Sequence, residues 1–143
     1  MQTSIDLEFG DGVYIFRLPI KQIVAIEQKA GPIDAVKHRL VNGGFGIRDI
    51  TEVIRHGLIG GGKGFVNGVD VTVSDLKANH LIDTYVDGCP IAPNETIARA
   101  AIFALWVGYT PPEPEKKSPV MPRRKSRARS TGGSSSTTAE LSA

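Results

Sequence analysis

Residues Gly57-Leu58-Ile59-Gly60-Gly61-Gly62-Lys63 fit the spacing of a phosphate-binding loop, G-x-x-x-x-G-K. Such a loop next needs Ser or Thr to hold magnesium, and this chain has Gly64. A phosphate loop also follows a strand and opens a helix, so that the helix N-terminus faces the phosphates. Here the glycines close a helical stretch, so the reading is a helix stop and a turn, without nucleotide. His38, His56 and His80 fall in separate segments, none spaced to share a helix face with another. Cys89 lies before a proline, and Asp87 two residues earlier would raise rather than lower a thiol pKa. Asp83 and Asp87 stand one helical turn apart, a spacing open to acid/base work but also ordinary for a solvated face. No nucleophile, base and orienting group belong together. The expectation is a non-enzyme with no catalytic residue, no metal and no cofactor.

The strongest charge feature is the run Arg123-Arg124-Lys125-Ser126-Arg127-Ala128-Arg129. Arg123, Arg124, Lys125, Arg127 and Arg129 could contact an anionic partner, nucleic acid included. The run has no interleaved aromatics for base stacking, and a solvated tail explains it equally well. Nucleic acid therefore ranks behind protein as a partner.

These residues sit in a chain of 143 residues with 41% hydrophobic and 6% aromatic composition and a net charge of +2. One domain fits that length. Its core must come mainly from Ile, Val, Leu and Ala. Residues 1–110 carry 10 Lys and Arg against 12 Asp and Glu, whereas residues 111–143 carry 7 against 3. The globular part is faintly acidic and the tail is basic. The single cysteine excludes an intramolecular disulfide. Neither a signal peptide nor an apolar run of about 20 residues is visible. The expected setting is cytoplasmic, with no membrane partner.

The pattern of elements is mixed. Residues 3–9 alternate, with Ile5, Leu7 and Phe9 on one face, and Gly10-Asp11-Gly12 turns the chain into a second strand over 13–18. The spacing predicts a helix over 20–30 with Ile20, Ile23, Val24 and Ile26 buried, and another over 33–41 with Ile33, Val36 and Leu40 inward. A central helix follows, on which Asp49 and Glu52 form a capping box and Ile47, Ile50, Val53, Ile54 and Leu58 form one apolar stripe. Gly57 and Gly60–Gly62 end it, and residues 65–71 form a short extended or turn segment. A fourth helix over about 73–87, capped by Thr72 or Ser74, turns Val73, Leu76, His80 or Leu81, and Val86 inward. The last begins at Pro93-Asn94-Glu95 and carries Ala100, Ala101 and Ala104 on a small-residue face. Prolines 111, 112, 114, 119 and 122, the basic run and a Gly/Ser/Thr tract then predict a disordered tail over 111–143. The predicted fold is α+β: an N-terminal β-hairpin packed on four to five short helices in a globular domain of residues 1–110.

Over residues 5–108 this arrangement resembles the small tail-assembly-chaperone-like proteins of gene transfer agents and related tailed phages. The resemblance rests on the Gly10–Gly12 turn, the first helix ending Ala25-Ile26-Glu27-Gln28-Lys29-Ala30-Gly31, and Arg39-Leu40. It also rests on Asp49-Ile50-Thr51-Glu52-Val53-Ile54-Arg55-His56-Gly57-Leu58 leading into glycines, and on the Ala-rich last helix. It implies a non-enzymatic role in tail assembly, by coating the tape-measure protein before the tube polymerises around it. The implied partners are the tape-measure protein, other tail proteins and copies of itself. A structural component retained in phage-like particles is one alternative, and a nucleic-acid-binding protein acting through the basic tail is another. A helical domain can offer a groove to an amphipathic helix. Candidate contacts are Phe65, Val66, Phe103, Trp106 and Tyr109, because large aromatics anchor interfaces. Core packing is the preferred reading for Phe103 and Trp106, and Phe65, beyond the glycine turn, is the preferred contact.

Overall fold

The computed structural model describes residues 2–112. Two hairpins build one four-stranded antiparallel sheet in the order β1-β2-β3-β4. Strands β1 (Ile5–Phe9) and β2 (Gly12–Phe16) meet at the Gly10-Asp11 turn, with Ile5 opposite Phe16 and Phe9 opposite Gly12. Strands β3 (Lys63–Val66) and β4 (Val69–Thr72) meet at Asn67-Gly68, and β3 joins β2 through Val13 and Tyr14. Five helices complete the domain: α1 (Ile20–Ala30), α2 (Ile33–Asn42), α3 (Ile47–Gly61), α4 (Asp75–Tyr85) and α5 (Ile91–Val107). The fold is α+β. Among the described residues no helix is long and apolar enough to cross a membrane.

Helix α3 is the axis. It packs on β2 and on α1, α2, α4 and α5. Ile50, Val53, Ile54 and Leu58 are fully buried along it, against Tyr14 and Phe16 of the strands, Ile26, Leu40, Leu81 and Ile102. The helix reaches the strand through glycines. A Cβ at Gly57 would lie 2.9 Å from the Phe16 ring, and at Gly60 2.7 Å from Pro19 Cδ. A Cβ at Gly61 would overlap the Ile15 carbonyl oxygen. The Arg17 N–H even donates to the Gly57 carbonyl, at 3.1 Å. Phe9 closes the sheet side edge-on to Tyr14, Phe16 and Tyr85, with ring centroids 6.1 to 6.3 Å away.

Several expectations change. Gly57, Gly60 and Gly61 lie inside α3 as packing residues, and the stop is Gly62 alone, at φ 72°. Residues 65–71 belong to a second hairpin, so the sheet has four strands rather than two. Its Asn67-Gly68 turn has φ 52° and 80°, the two positive values of a type I′ turn. The helix start also moves: Gly46 is the N-cap and Asp49 is the third helical residue, reaching back to the Gly46 N–H at 2.9 Å. Ile20 (77% exposed), Leu76 (80%), Val24 and Ile47 face solvent instead of the core. α5 starts two residues before Pro93, and Asn94 is buried inside it, donating to the Tyr85 carbonyl at 3.2 Å. Ser74 does cap α4, accepting from Lys77 N at 3.2 Å. Residues 113–143 of the predicted tail lie outside the described residues.

The glycine contact yields a test with an inverted sign. Alanine normally stabilises a helix interior over glycine by about 1 kcal/mol. Gly61→Ala should instead destabilise by about 3 kcal/mol, because its methyl meets the β2 backbone rather than a side chain that can turn away. Urea denaturation followed by circular dichroism measures this. A stabilised variant would show that α3 does not rest on β2.

Candidate functional site

Two charged clusters and two apolar patches stand out. The first cluster ties the helix junction. Arg39 on α2 makes a paired contact with Asp49, Nε to Oδ2 at 2.8 Å and Nη2 to Oδ1 at 2.6 Å. The same guanidinium donates to the Ala30 carbonyl at 2.7 Å, at the end of α1. Asp49 is buried, which alone would raise its pKa; Arg39 and the Gly46 N–H outweigh that and hold the carboxyl below its usual range. Arg39, in turn, is raised by Asp49.

The second cluster floors a polar cleft of about 950 Å³ between α1, α3 and α4, lined among others by Lys29, Arg48, Glu52, Arg55, His56, Asp75 and Asp83. Glu52 is buried beneath it and pairs with Arg55 three residues on. Its Oε1 faces His56 Nε2 at 3.3 Å and Lys29 Nζ at 3.8 Å, off the line of a hydrogen bond. His56 Nδ1 lies 2.7 Å from Gln22 Oε1, so the ring stands between two oxygens. Arg55 Nε donates to Asn79 Oδ1 at 2.9 Å and carries the network to α4. Burial would raise the Glu52 pKa, but His56 and Arg55, with the charge of Lys29, pull it down to about 2. The sequence signal for this site was Glu52, Arg55 and His56 at i, i+3 and i+4, which the capping reading of Glu52 concealed.

The groups first considered for chemistry are scattered. His38 lies 3.7 Å from Asp34 Oδ2 on the surface of α2, and His80 is exposed on α4. Cys89 Sγ reaches the Thr84 carbonyl at 3.7 Å. Among the described residues no three His, Cys, Asp or Glu are grouped to hold a metal ion. Gly62 and Lys63 turn a helix into a strand, the reverse of a phosphate loop.

The candidate contact residues divide into two patches. Phe65, 50% exposed, lies on the outer face of the sheet beside Val13 and Ile15, in a groove whose rim carries Asp6, Lys63 and Asp70. Val66 points to the other face and packs against the core. Phe103 (44% exposed), Trp106 (41%) and Val107 stand at i, i+3 and i+4 on the free side of α5; for Phe103 and Trp106 this replaces the expected core packing. The Lys37 ammonium covers part of the Trp106 ring at 4.1 Å. Tyr109 is half-buried and pairs its backbone with Gln2, N to O at 2.6 Å and 3.1 Å. The structure therefore does not gather the five into one surface. Arg123, Arg124, Lys125, Arg127 and Arg129 lie outside the described residues.

The Glu52 network predicts a pH dependence. A carboxyl held below its unfolded value contributes stability that is complete above about pH 4.5 and lost as pH falls toward 2. Discounted for the solvent around Lys29, this contribution is about 2 kcal/mol. Glu52→Gln should cost that much at pH 7 and flatten the acid limb of stability between pH 4.5 and 2. Urea midpoints across that range measure it, and parallel acid limbs in the two proteins would contradict the assignment.

A family model described as "Phage tail tube protein, GTA-gp10" matches residues 2–108. No curated protein and no solved structure matches the chain. The match and the resemblance share a phage-type tail; they differ in that the family description names a tube component rather than an assembly chaperone.

Proposed function

We propose that this chain, which belongs to the phage tail tube protein family GTA-gp10, is a non-enzymatic structural component of a phage-like tail. It would join copies of itself and other tail proteins through non-covalent contacts and travel with the particle. The observation that carries this reading is the pair of separate apolar patches on one small domain. Val13, Ile15 and Phe65 form one on the sheet, and Phe103, Trp106 and Val107 form the other on α5. A subunit that stacks head to tail needs two different surfaces, each complementary to the other or to a neighbour. The family description supports the same role.

A second reading rests on α5 alone. Its Phe103, Trp106 and Val107 stripe has the spacing that one helix offers another. A tape-measure protein covered before tube assembly would present such a helix, and the chain would then be its chaperone and leave before completion.

Particle composition separates the two. The structural reading expects the chain in purified particles in many copies, and expects Phe65→Ser to reduce incorporation about tenfold without altering the circular dichroism of the free protein. The chaperone reading expects the chain to be missing from particles. It expects a soluble complex with a co-expressed tape-measure protein that Trp106→Ala weakens. Absence from particles together with no such complex would sink both.

A further inference from the structure

Strand β4 ends the sheet on one side, and among the described residues it pairs with β3 only. The opposite edge is different, since α5 packs beside β1 and Tyr109 bridges to Gln2. Val69-Asp70-Val71-Thr72 is short and carries one charge, Asp70, but contains no Pro, Lys or bulge to keep the edge from pairing. We infer that β4 is a self-pairing edge: two copies of this chain join β4 to β4 across a two-fold axis at Val71, making one continuous eight-stranded antiparallel sheet. This holds whether or not the chain remains in a tail.

The register follows from the hairpin and from charge. In a two-residue hairpin the pair next to the turn is hydrogen-bonded, here Val66 with Val69. Alternation then makes Gly64 with Val71 the next bonded pair. The backbone groups of Asp70 and Thr72 therefore point away from β3, toward the free side. A second β4 can use them only if Asp70 and Thr72 face the same set. Centring the axis on Asp70 would set two carboxylates opposite each other, a destabilising arrangement. Centring it on Thr72 would draw Ser74, the cap of α4, into the strand. Centring it on Val71 pairs Asp70 with Thr72 of the second copy twice over and uses all four outward groups of each strand.

That register is also complementary in charge. Lys63 lies directly across from Thr72 within one copy, on the outer face. Asp70 of one copy would thus lie two strands from Lys63 of the other, about 10 Å between backbones, which a lysine stem spans. Both side chains are exposed, and neither has an ion-pair partner among the described residues. The two symmetric contacts would bring the Phe65 patches of both copies onto one broad face.

Sedimentation equilibrium on the full chain through the micromolar range tests this. The expected result is a reversible dimer. Lys63→Glu and Asp70→Lys should each raise its Kd about tenfold, since each alters two symmetric contacts, and the double reversal should restore it. The register is read by cysteine placement in a Cys89→Ser background. Val71→Cys should oxidise to a cross-linked dimer, because a non-hydrogen-bonded pair brings its side chains within disulfide reach. Asp70→Cys should cross-link far less. A full chain that stays monomeric would overturn the inference. So would a dimer indifferent to both reversals, or one in which Asp70→Cys cross-links better than Val71→Cys.

Discussion

The fold depends on one close approach, that of helix α3 to strand β2. Side chains normally hold a helix about 10 Å from a sheet. Here Gly57, Gly60 and Gly61 remove them along one strip, and the helix backbone meets the carbonyls of Ile15 and Arg17. With α3 pressed on the sheet, its other sides are open to α1, α2, α4 and α5. A chain with few aromatics can then build a core from Ile, Val and Leu, because every element shares one central neighbour. The glycines cost helix propensity, about 1 kcal/mol each against alanine. Burying Ile50, Val53, Ile54 and Leu58 completely offsets that, at 1.5–3 kcal/mol for each such side chain by general estimates, ~1.5 at the low end.

The ionic clusters belong to the same design. Among the described residues Asp49 and Glu52 are the buried charges, and both lie on α3. Asp49 gathers Arg39 and the Gly46 N–H, and Arg39 gathers the end of α1. Three segments are fixed by one carboxylate. Glu52 ties α3 to Lys29 of α1 and, through Arg55, to Asn79 of α4. Buried pairs of this kind add little net stability over an apolar isostere, but a lone partner is costly. Their physical effect is therefore selective: other packings of the same helices would strand a charge.

Much of this was legible in the sequence, in proportion to how local its cause is. Helix α1 runs over the expected residues, and the first hairpin has its predicted faces, because alternation, Pro19 and Gly31 are local signals. The second hairpin is hidden by its glycine-rich approach and four-residue strands, although Asn67-Gly68 is a strong turn signal. Propensity alone makes the glycines of α3 a stop; the strand they touch makes them packing residues. Exposure failed for the same reason at Ile20, Leu76 and Trp106, where periodicity marks a stripe but not which part of it finds a neighbour. The Glu52 site could not be read in full, since Gln22, Lys29 and Asn79 come from other helices.

The sequence of β2 carries the argument one step further. Val13-Tyr14-Ile15-Phe16 does not alternate as a strand with one wet face should; it is apolar throughout, the pattern of a strand covered on both sides. Tyr14 and Phe16 meet the helices and are completely buried. Val13 and Ile15 point the other way, into the groove beside Phe65. The other strands supply Asp6, Lys63 and Asp70 there, a polar rim that leaves the apolar centre unexplained. A surface of this composition, apolar in the middle with a charged rim, matches the anatomy of a protein–protein contact rather than of a free sheet. The domain is thus one layer short of what its central strand is built for, and the tail contact proposed above would supply that layer as another polypeptide.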